Sequence, residues 1–200
     1  MNKFFITIIP VMLLQATLPG CGPPRQKPNS DWQLVKEAQL TSDQTAQRDK
    51  ARLARDAMFK SLKGRLVEVV GTEGPAAAIE VCSKEAPQIA EQVSQKHGLA
   101  IGRTSFHLRN PDNSPPEWAA RLVEDRAAEP TYLTNDGRFA ALLPIRLQPD
   151  CLTCHGQEEE ILPAVADALA EHYPQDTATG FREGDLRGWF WVEVPAVDGP

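Results

Sequence analysis

The chain has 200 residues and a mass of 22.0 kDa, which fits one domain with short appendages. Hydrophobic residues make up 42% and charged residues 24%, an ordinary balance for a globular protein. Its 21 Lys and Arg against 27 Asp and Glu give a net charge of -6, which argues against a nucleic-acid-binding domain because such a domain needs a basic surface. Four cysteines are too few for a disulfide scaffold, although their even number suggests two bridges.

The first twenty residues read as an export signal. Lys3 gives a short positive region, and the apolar run 4–14 is shorter than the roughly 20 residues of a membrane-spanning helix. The end of the segment, Leu18-Pro19-Gly20-Cys21, resembles a bacterial lipobox in which Cys21 is lipidated, and an ordinary signal peptide cut nearby is the alternative. We expect a lipoprotein signal peptide over 1–20, a flexible tether over 21–30 and one domain over 31–200, held at the periplasmic side of a membrane by its lipid anchor.

The first half of the chain predicts helices. From Ser30 to about Val70 the sequence reads as helix, with a break near Thr41. Pro75 suits the first turn of a second helix, Gly98 closes it, and Pro87 bends it. Apolar residues recur at three- and four-residue spacing in both helices: Ala54, Met58, Leu62, Leu66 and Val69 in the first, and Ile79, Cys82, Ala86, Ile89 and Val93 in the second. Cys82 is therefore expected where the second helix packs.

The second half predicts an antiparallel sheet. Strand patterns cover 99–108, 131–134, 138–147 and 186–194, and Asn135-Asp136-Gly137 is a strong hairpin signal. Short helices are expected over 117–126 and 161–172. Helices that precede an antiparallel sheet, with one helix crossing between its strands, define an α+β fold class.

One motif carries chemistry. Cys151-Leu152-Thr153-Cys154-His155 is CxxCH, the attachment signature of c-type haem. Its two thiols can form thioethers to the two vinyl groups of one porphyrin, and His155 is then held at the iron as the proximal ligand. Chance placement of 4 Cys and 4 His would produce this pattern about 0.002 times. A thioredoxin-like pair would need a surrounding βαβ unit, and a zinc site would need a second pair of ligands, neither of which the sequence offers.

Once lipid and thioethers are assigned, Cys82 is left alone. It suits inert packing, a reactive or dimer-forming thiol, or the sixth ligand of the haem iron. The other candidates for the sixth position are Met58, a histidine among His97, His107 and His172, or no protein ligand at all. His97 follows fifteen residues after Cys82, about 22 Å along a helix, so the two cannot bind one iron together. The residues alone favour none of these candidates.

Five stretches together resemble a bacterial c-type haem family with a PAS-like fold, whose members are exported haem proteins and extracytoplasmic sensor domains of signalling receptors. The stretches are 78–82 with 86–87, 102–105 with 109–113, 115–118, 149–156, and 173–188. The resemblance implies a PAS-like antiparallel sheet preceded by long N-terminal helices, and one covalent haem c. It also implies that Cys82 is the distal ligand opposite His155, giving a six-coordinate ferric state whose thiolate bond weakens on reduction and admits CO or NO.

The same comparison suggests candidates around the haem. Arg103 and Arg109 are expected to hold the propionates, because a guanidinium pairs well with a carboxylate, and the alternative is two surface arginines on a strand. Two departures from the family pattern bear on pocket shape: Gly102 replaces a frequent arginine, and Trp189-Phe190-Trp191 replaces smaller residues. These aromatic residues suit either a wall of the haem pocket or the sheet itself.

We expect a haem-based redox or gas sensor, with a periplasmic electron-transfer cytochrome as the alternative. An enzyme such as a peroxidase is not expected, because the sequence shows no acid–base constellation for one. The chain carries no kinase or methyl-accepting segment, so the output requires an unknown redox or signalling protein partner. The long N-terminal helix is compatible with a homodimer and equally with packing on its own sheet.

Overall fold

The computed structural model describes Met1 and residues 32–196, so the expected leader, Cys21 and the tether lie outside the described residues. Its helices are α1 (Ser42–Glu73), α2 (Ala77–Glu80), α3 (Ala86–His97), α4 (Glu117–Glu124), α5 (Leu152–His155) and α6 (Pro163–His172). Its strands are β1 (Gln33–Val35), β2 (Ala100–Thr104), β3 (Thr131–Asn135), β4 (Arg138–Arg146) and β5 (Leu186–Val194). Within this described part, no helix combines the length and apolar character of a membrane span.

The five described strands form one antiparallel sheet in the order β1-β3-β4-β5-β2. The predicted hairpin joins β3 to β4, and Asp136 and Gly137 have φ values of 45° and 76°, as a type I′ turn requires. β5 covers the predicted residues and pairs with β4 on one side and β2 on the other. The α+β class with a PAS-like sheet and a long N-terminal helix is therefore confirmed.

Side chains alternate between two faces of the sheet, and helices cover both. The first face packs against α1 and α3, and its buried residues include Phe139, Ala141, Leu143, Phe190 and Val192. The second face packs against α4, and its buried residues include Leu133, Ala140, Leu142 and Trp189. The predicted stripe of α1 is buried inside the chain, because Ala54 and Met58 join the first face and Leu62 and Val69 pack on the segment that holds α2 and α3.

The expected helix before Thr41 is wrong. Gln33–Val35 is the edge strand β1, paired with β3, and Glu37–Gln39 is a 3-10 turn. The α1 helix begins after Thr41, whose Oγ1 accepts from the Gln44 backbone N–H at 3.3 Å while Gln44 Oε1 accepts from the Thr41 N–H at 3.0 Å. This capping box sets the start of the helix, and pairing with a strand distant in sequence sets the conformation before it.

The second predicted helix contains a π-helical turn, Val81–Glu85, between α2 and α3. Pro87 lies two residues after this turn, and it has no N–H to donate to the Ser83 carbonyl, which its ring also crowds. The backbone stays helical on both sides of the turn, so the wider turn absorbs the irregularity that Pro87 imposes. π-helical turns are rare in proteins as a whole, but those that occur are often found at functional sites. This one carries Cys82.

Candidate haem-binding site

The CxxCH segment forms a tight loop, with a 3-10 turn over Pro149–Cys151 followed by α5. Both thiols are half-buried, and neither forms a disulfide with another described cysteine. Burial is the main cause that raises the pKa of the Cys154 thiol to about 11, and it raises the pKa of Cys151 as well. Both side chains are therefore neutral thiols at physiological pH.

The imidazole of His155 is fixed by one backbone carbonyl. Its Nδ1 lies 2.7 Å from the Ala178 oxygen, a contact that needs a proton between the two atoms, so we assign Nδ1 as donor and Nε2 as the free nitrogen. Arg187 Nε lies 3.3 Å from the same Nδ1, and with this tautomer the two donors form no hydrogen bond. Burial, with a further effect of Arg109 and Arg187, lowers the pKa of His155 well below its usual value. The side chain is thus a neutral imidazole tied at one nitrogen, the form that binds metals.

Cys82 lies half-buried on the π turn and faces this loop. Ile79, one helical turn earlier, packs with Tyr173 in the apolar cluster that also contacts Cys154. Burial is the main cause of the shifted pKa of Cys154, Tyr173 and Arg187, and the Cys82 side chain is near enough to affect the pKa of each of them. The fold therefore brings Cys82 and the CxxCH segment, distant in sequence, into one region.

The other candidates for the sixth position lie elsewhere. Met58 is 1% exposed in the core between α1 and the sheet. His97 ends α3, and His107 is exposed beside the Phe106 and Phe181 rings. Lys84 is the main cause that lowers the pKa of Glu80, and His172 lies near enough to Glu80 to add a smaller effect. Among the described residues, no hydrogen bond or aromatic pair joins any of these four side chains to His155 or to either CxxCH thiol.

Three arginines surround the loop: Arg103 from β2, Arg109 from the chain after it, and Arg187 from β5. Each of them lowers the pKa of His155. Burial, followed by the charges of Arg109 and Arg103, lowers the pKa of Arg187 to about 10. Asp176 forms an ion pair of 2.9 Å with Arg109. Three guanidinium groups beside this one paired carboxylate leave an excess of positive charge.

These arginines differ in the donors that they keep free. Arg109 is 7% exposed and donates to Asp176 Oδ2 at 2.9 Å, to the Cys154 carbonyl at 2.6 Å and to the Ala178 carbonyl at 3.2 Å. Arg187 donates from Nη1 to Ser105 Oγ at 2.8 Å and to the His107 carbonyl at 3.0 Å. The Arg103 guanidinium makes no hydrogen bond to another described residue, although its backbone pairs with Phe190 in the sheet. Two arginines are predicted to bind the propionates. All side-chain donors of Arg103 are free to do so, whereas in Arg109 only Nη1 is free.

The residues present fit a haem c. The surplus positive charge of the half-buried Arg103 and Arg187 suits the two propionates, and their free donors can bind them. The neutral thiols suit attachment, and the tethered imidazole leaves Nε2 for iron.

Sequence reasoning missed three residues of this site, namely Asp176, Ala178 and Arg187. All three fall in the stretch 173–188 that carries the family resemblance. Ala178 acts through its backbone carbonyl, and Asp176 acts by accepting the Ala178 N–H at 2.8 Å. No side-chain pattern indicates such backbone roles.

The two departures from the family pattern meet in the sheet. Trp189 and Trp191 lie on the α4 face, and Trp189 donates to the Ala127 carbonyl at 2.7 Å. A Cβ added to Gly102 would lie 2.5 Å from the Trp191 ring. Trp191 therefore fills the space that a larger residue at position 102 would need. Only Phe190 of the three aromatic residues lies on the α1–α3 face, with Arg103 opposite it in β2.

Fold and site together define the class of protein, a PAS-like α+β protein with a CxxCH loop against its sheet and helices. The chain belongs to the Tll0287-like family, whose model matches residues 28–195. The crystal structure of the cyanobacterial heme-protein Tll0287 matches with a TM-score of 0.56 and 23% identity, covering 80% of this chain and 100% of that one. At this identity the match shows a shared fold. No curated protein matches the chain significantly.

Proposed function

We propose that this protein is an exported c-type haem protein that acts as a redox or gas sensor through iron bound by His155 and Cys82. The observation that carries the proposal is the placement of Cys82 on a π turn that faces the CxxCH loop. Membership of the Tll0287-like family and the match to a heme-protein support haem as the cofactor. The haem would supply one-electron iron chemistry and a site for small ligands such as CO or NO.

The residues of the CxxCH loop and the nearby arginines would each hold a different part of the haem. Cys151 and Cys154 would hold the haem through thioethers: each thiol would add across one vinyl group, forming a carbon–sulfur bond as its proton moves to the neighbouring vinyl carbon, with no oxidation. His155 presents Nε2 while Ala178 holds Nδ1, and burial keeps the imidazole neutral. Arg103 and Arg187 offer free donors to the propionates, and the role of Arg103 stays a prediction.

Sensing, rather than electron transfer alone, is supported by how α1 contacts both ligand-bearing segments. Arg65 binds Glu85 of the π turn with two hydrogen bonds of 2.8 and 3.1 Å. Two residues earlier on the same helix, Lys63 Nζ lies 3.1 Å from Asp150 Oδ2, on the residue before Cys151. A movement of the Cys82 segment relative to the CxxCH loop would therefore pull on α1, a helix of 32 residues. That helix is our candidate for the output element.

Electron transfer is the second candidate function, and an aromatic cluster favours it. Phe106 and Phe181 lie 6.2 Å apart, and the exposed His107 ring lies 4.9 Å from Phe106. Phe181 also donates its backbone N–H to the His155 carbonyl at 3.0 Å. The cluster thus reaches from the proximal loop to the surface, where a redox partner could dock.

Export and anchoring stay part of the proposal. The apolar leader and the lipobox-like end at Cys21 support a lipoprotein at the periplasmic side of a membrane, with its output passed to a protein partner. Mass spectrometry of the mature N-terminus after expression in a bacterial host tests this part. Acylated Cys21 is the expected result, and an unmodified N-terminus at another residue would contradict it.

The cofactor is tested by expressing wild type, Cys151→Ser and Cys154→Ser together with a haem c maturation system. We expect intact mass to show one covalent haem in wild type. In the pyridine haemochrome spectrum, each variant should show one remaining vinyl group. A wild-type protein without covalent haem would refute the proposal.

Sensing is tested by hydrogen exchange of α1 in the ferric, ferrous and CO-bound states. We expect protection of α1 to change with state in wild type, and the change to shrink in Arg65→Gln, which cuts the link to the π turn. Arg121→Gln on α4 is the matched control, because Arg121 pairs only with Glu124 and Asp125 of its own segment in the described structure. A ferrous state that refuses CO and leaves α1 unchanged would favour the electron carrier.

A further inference from the structure

The carbonyl that holds His155 is shared with a buried cation. Ala178 O accepts from His155 Nδ1 at 2.7 Å and from Arg109 Nη2 at 3.2 Å. The Ala178 N–H in turn donates to Asp176 Oδ1 at 2.8 Å, and Asp176 Oδ2 accepts from Arg109 Nε at 2.9 Å. Position and acceptor strength of this carbonyl are therefore both set by the Arg109–Asp176 pair.

The same pair closes a ring of hydrogen bonds around the proximal loop. Arg109 Nη2 also donates to the Cys154 carbonyl at 2.6 Å, the residue next to His155. Backbone bonds from Gly180 N to Gly156 O at 2.7 Å and from Phe181 N to His155 O at 3.0 Å bind the two loops further. The Arg109 and Asp176 side chains are 7% and 11% exposed, so this ion pair is shielded from solvent. Breaking such a pair from one side is costly, because the other charge stays buried.

We propose that Arg109 and Asp176 are positioning residues that set the donor strength of His155, and that Arg109 is not a propionate ligand. The inference rests on the proposed function, in which His155 binds iron. A carbonyl that already accepts from a guanidinium is a weaker acceptor for the imidazole N–H. Arg109 therefore limits the imidazolate character that His155 can gain from Ala178. Without Arg109, the imidazole becomes a stronger donor and favours the ferric state.

The matched comparison is Arg109→Met against Arg103→Met, because each variant removes one positive charge near the same loop. Removal of either charge lowers the reduction potential, so the potential alone does not separate their roles. The iron–histidine stretching frequency of the ferrous protein separates the two roles. It reports hydrogen bonding at Nδ1, the imidazole nitrogen that does not bind iron. We expect a higher frequency in Arg109→Met and an unchanged one in Arg103→Met.

We expect Arg109→Met to raise the affinity of the site for ferric relative to ferrous iron about tenfold. This is the lower end of the roughly 10–100-fold effects of residues that hydrogen-bond to a metal ligand. For a one-electron couple this equals a potential about 59 mV lower in Arg109→Met. Arg109→Lys and Asp176→Asn are made in parallel, because they keep most of the packing if Arg109→Met does not fold. Both should raise the stretching frequency, since Arg109→Lys removes the Nη2 donor to the Ala178 carbonyl and Asp176→Asn weakens the Nε–Oδ2 contact that holds Arg109 there.

The outcomes separate this inference from the function on which it rests. The band appears only when ferrous iron is five-coordinate, so each variant is also made in a Cys82→Ala background. A Cys82→Ala protein without an iron–histidine band would refute iron binding by His155. A band that stays fixed in Arg109→Lys, Asp176→Asn and Arg109→Met would overturn the positioning role. A shift of the same size in Arg103→Met would also overturn it, because charge alone would then explain the effect.

Discussion

Replacement of Gly102 by alanine tests the fit between the two unusual positions of the sheet. An added Cβ would lie 2.5 Å from two carbons of the Trp191 ring and 2.7 Å from its nitrogen. Carbon atoms pack best at about 3.5–4.0 Å, so the ring or strand β2 must move by about 1 Å. Trp191 is only partly exposed and packs on the α4 face, which leaves it little room.

Overpacking of this kind costs about 1–3 kcal/mol. Alanine also lowers the conformational entropy of the unfolded chain, which stabilises the folded protein by about 0.4–1 kcal/mol. The net effect of Gly102→Ala is therefore expected to be a loss of about 1–2 kcal/mol of unfolding free energy. In a chain of this size that corresponds to a melting temperature lower by about 2–8 °C. Urea unfolding followed by far-UV circular dichroism measures the free energy, and calorimetry measures the temperature.

Two further variants make the test specific. Gly64→Ala is the control, because nothing lies within 4 Å of its added Cβ in α1, and we expect it to stabilise the protein by about 0.5–1 kcal/mol. Gly102→Ala combined with Trp191→Leu should be more stable than the sum of the two single changes predicts, since leucine vacates the contact. A neutral or stabilising Gly102→Ala, or additive single changes, would refute the reasoning.

Two other predictions concern α1. Thr41→Ala removes the side-chain acceptor of the capping box and should cost about 1 kcal/mol in urea unfolding, whereas Thr41→Ser should cost little; equal losses would contradict a capping role. Glu85→Gln removes the partner of Arg65, whose hydrogen bond is the main cause that lowers the pKa of Glu85. The stabilisation is complete above the unfolded carboxyl pKa of about 4.3 and is lost as pH falls through the lowered pKa of the folded state. The stability difference between wild type and Glu85→Gln should therefore shrink in acid, and a difference independent of pH would argue against the ion pair.

The parts of the fold that the sequence predicts well are those that local chemistry decides. Asp136 and Gly137 tolerate the positive φ of a tight turn, so the hairpin is readable from two residues. The same holds for β5, whose aromatic and branched residues mark the strand Leu186–Val194. The edge strand β1 is different, because Gln33–Val35 has no strand pattern of its own and exists through its pairing with β3.

The site divides in the same way. CxxCH is legible because its chemistry needs neighbouring residues, whereas the surroundings of His155 come from four separate parts of the chain. The partner of its Nδ1 is a backbone carbonyl, at Ala178, which no side-chain type reveals. The π turn at Cys82 depends on how the helix accommodates Pro87. The sequence predicts a helix irregularity near Pro87, but it does not predict that the irregularity is a π turn.

The central claim is that the Cys82 thiolate binds the haem iron opposite His155, and electron paramagnetic resonance with redox titration tests it most directly. Ser83→Ala is the control, since Ser83 lies on the same π turn and its hydroxyl donates only to the Glu80 carbonyl, at 3.0 Å. We predict a low-spin ferric spectrum for wild type and Ser83→Ala, and a changed spectrum with a higher reduction potential for Cys82→Ala. A Cys82→Ala protein with the wild-type ferric spectrum and potential would contradict the claim.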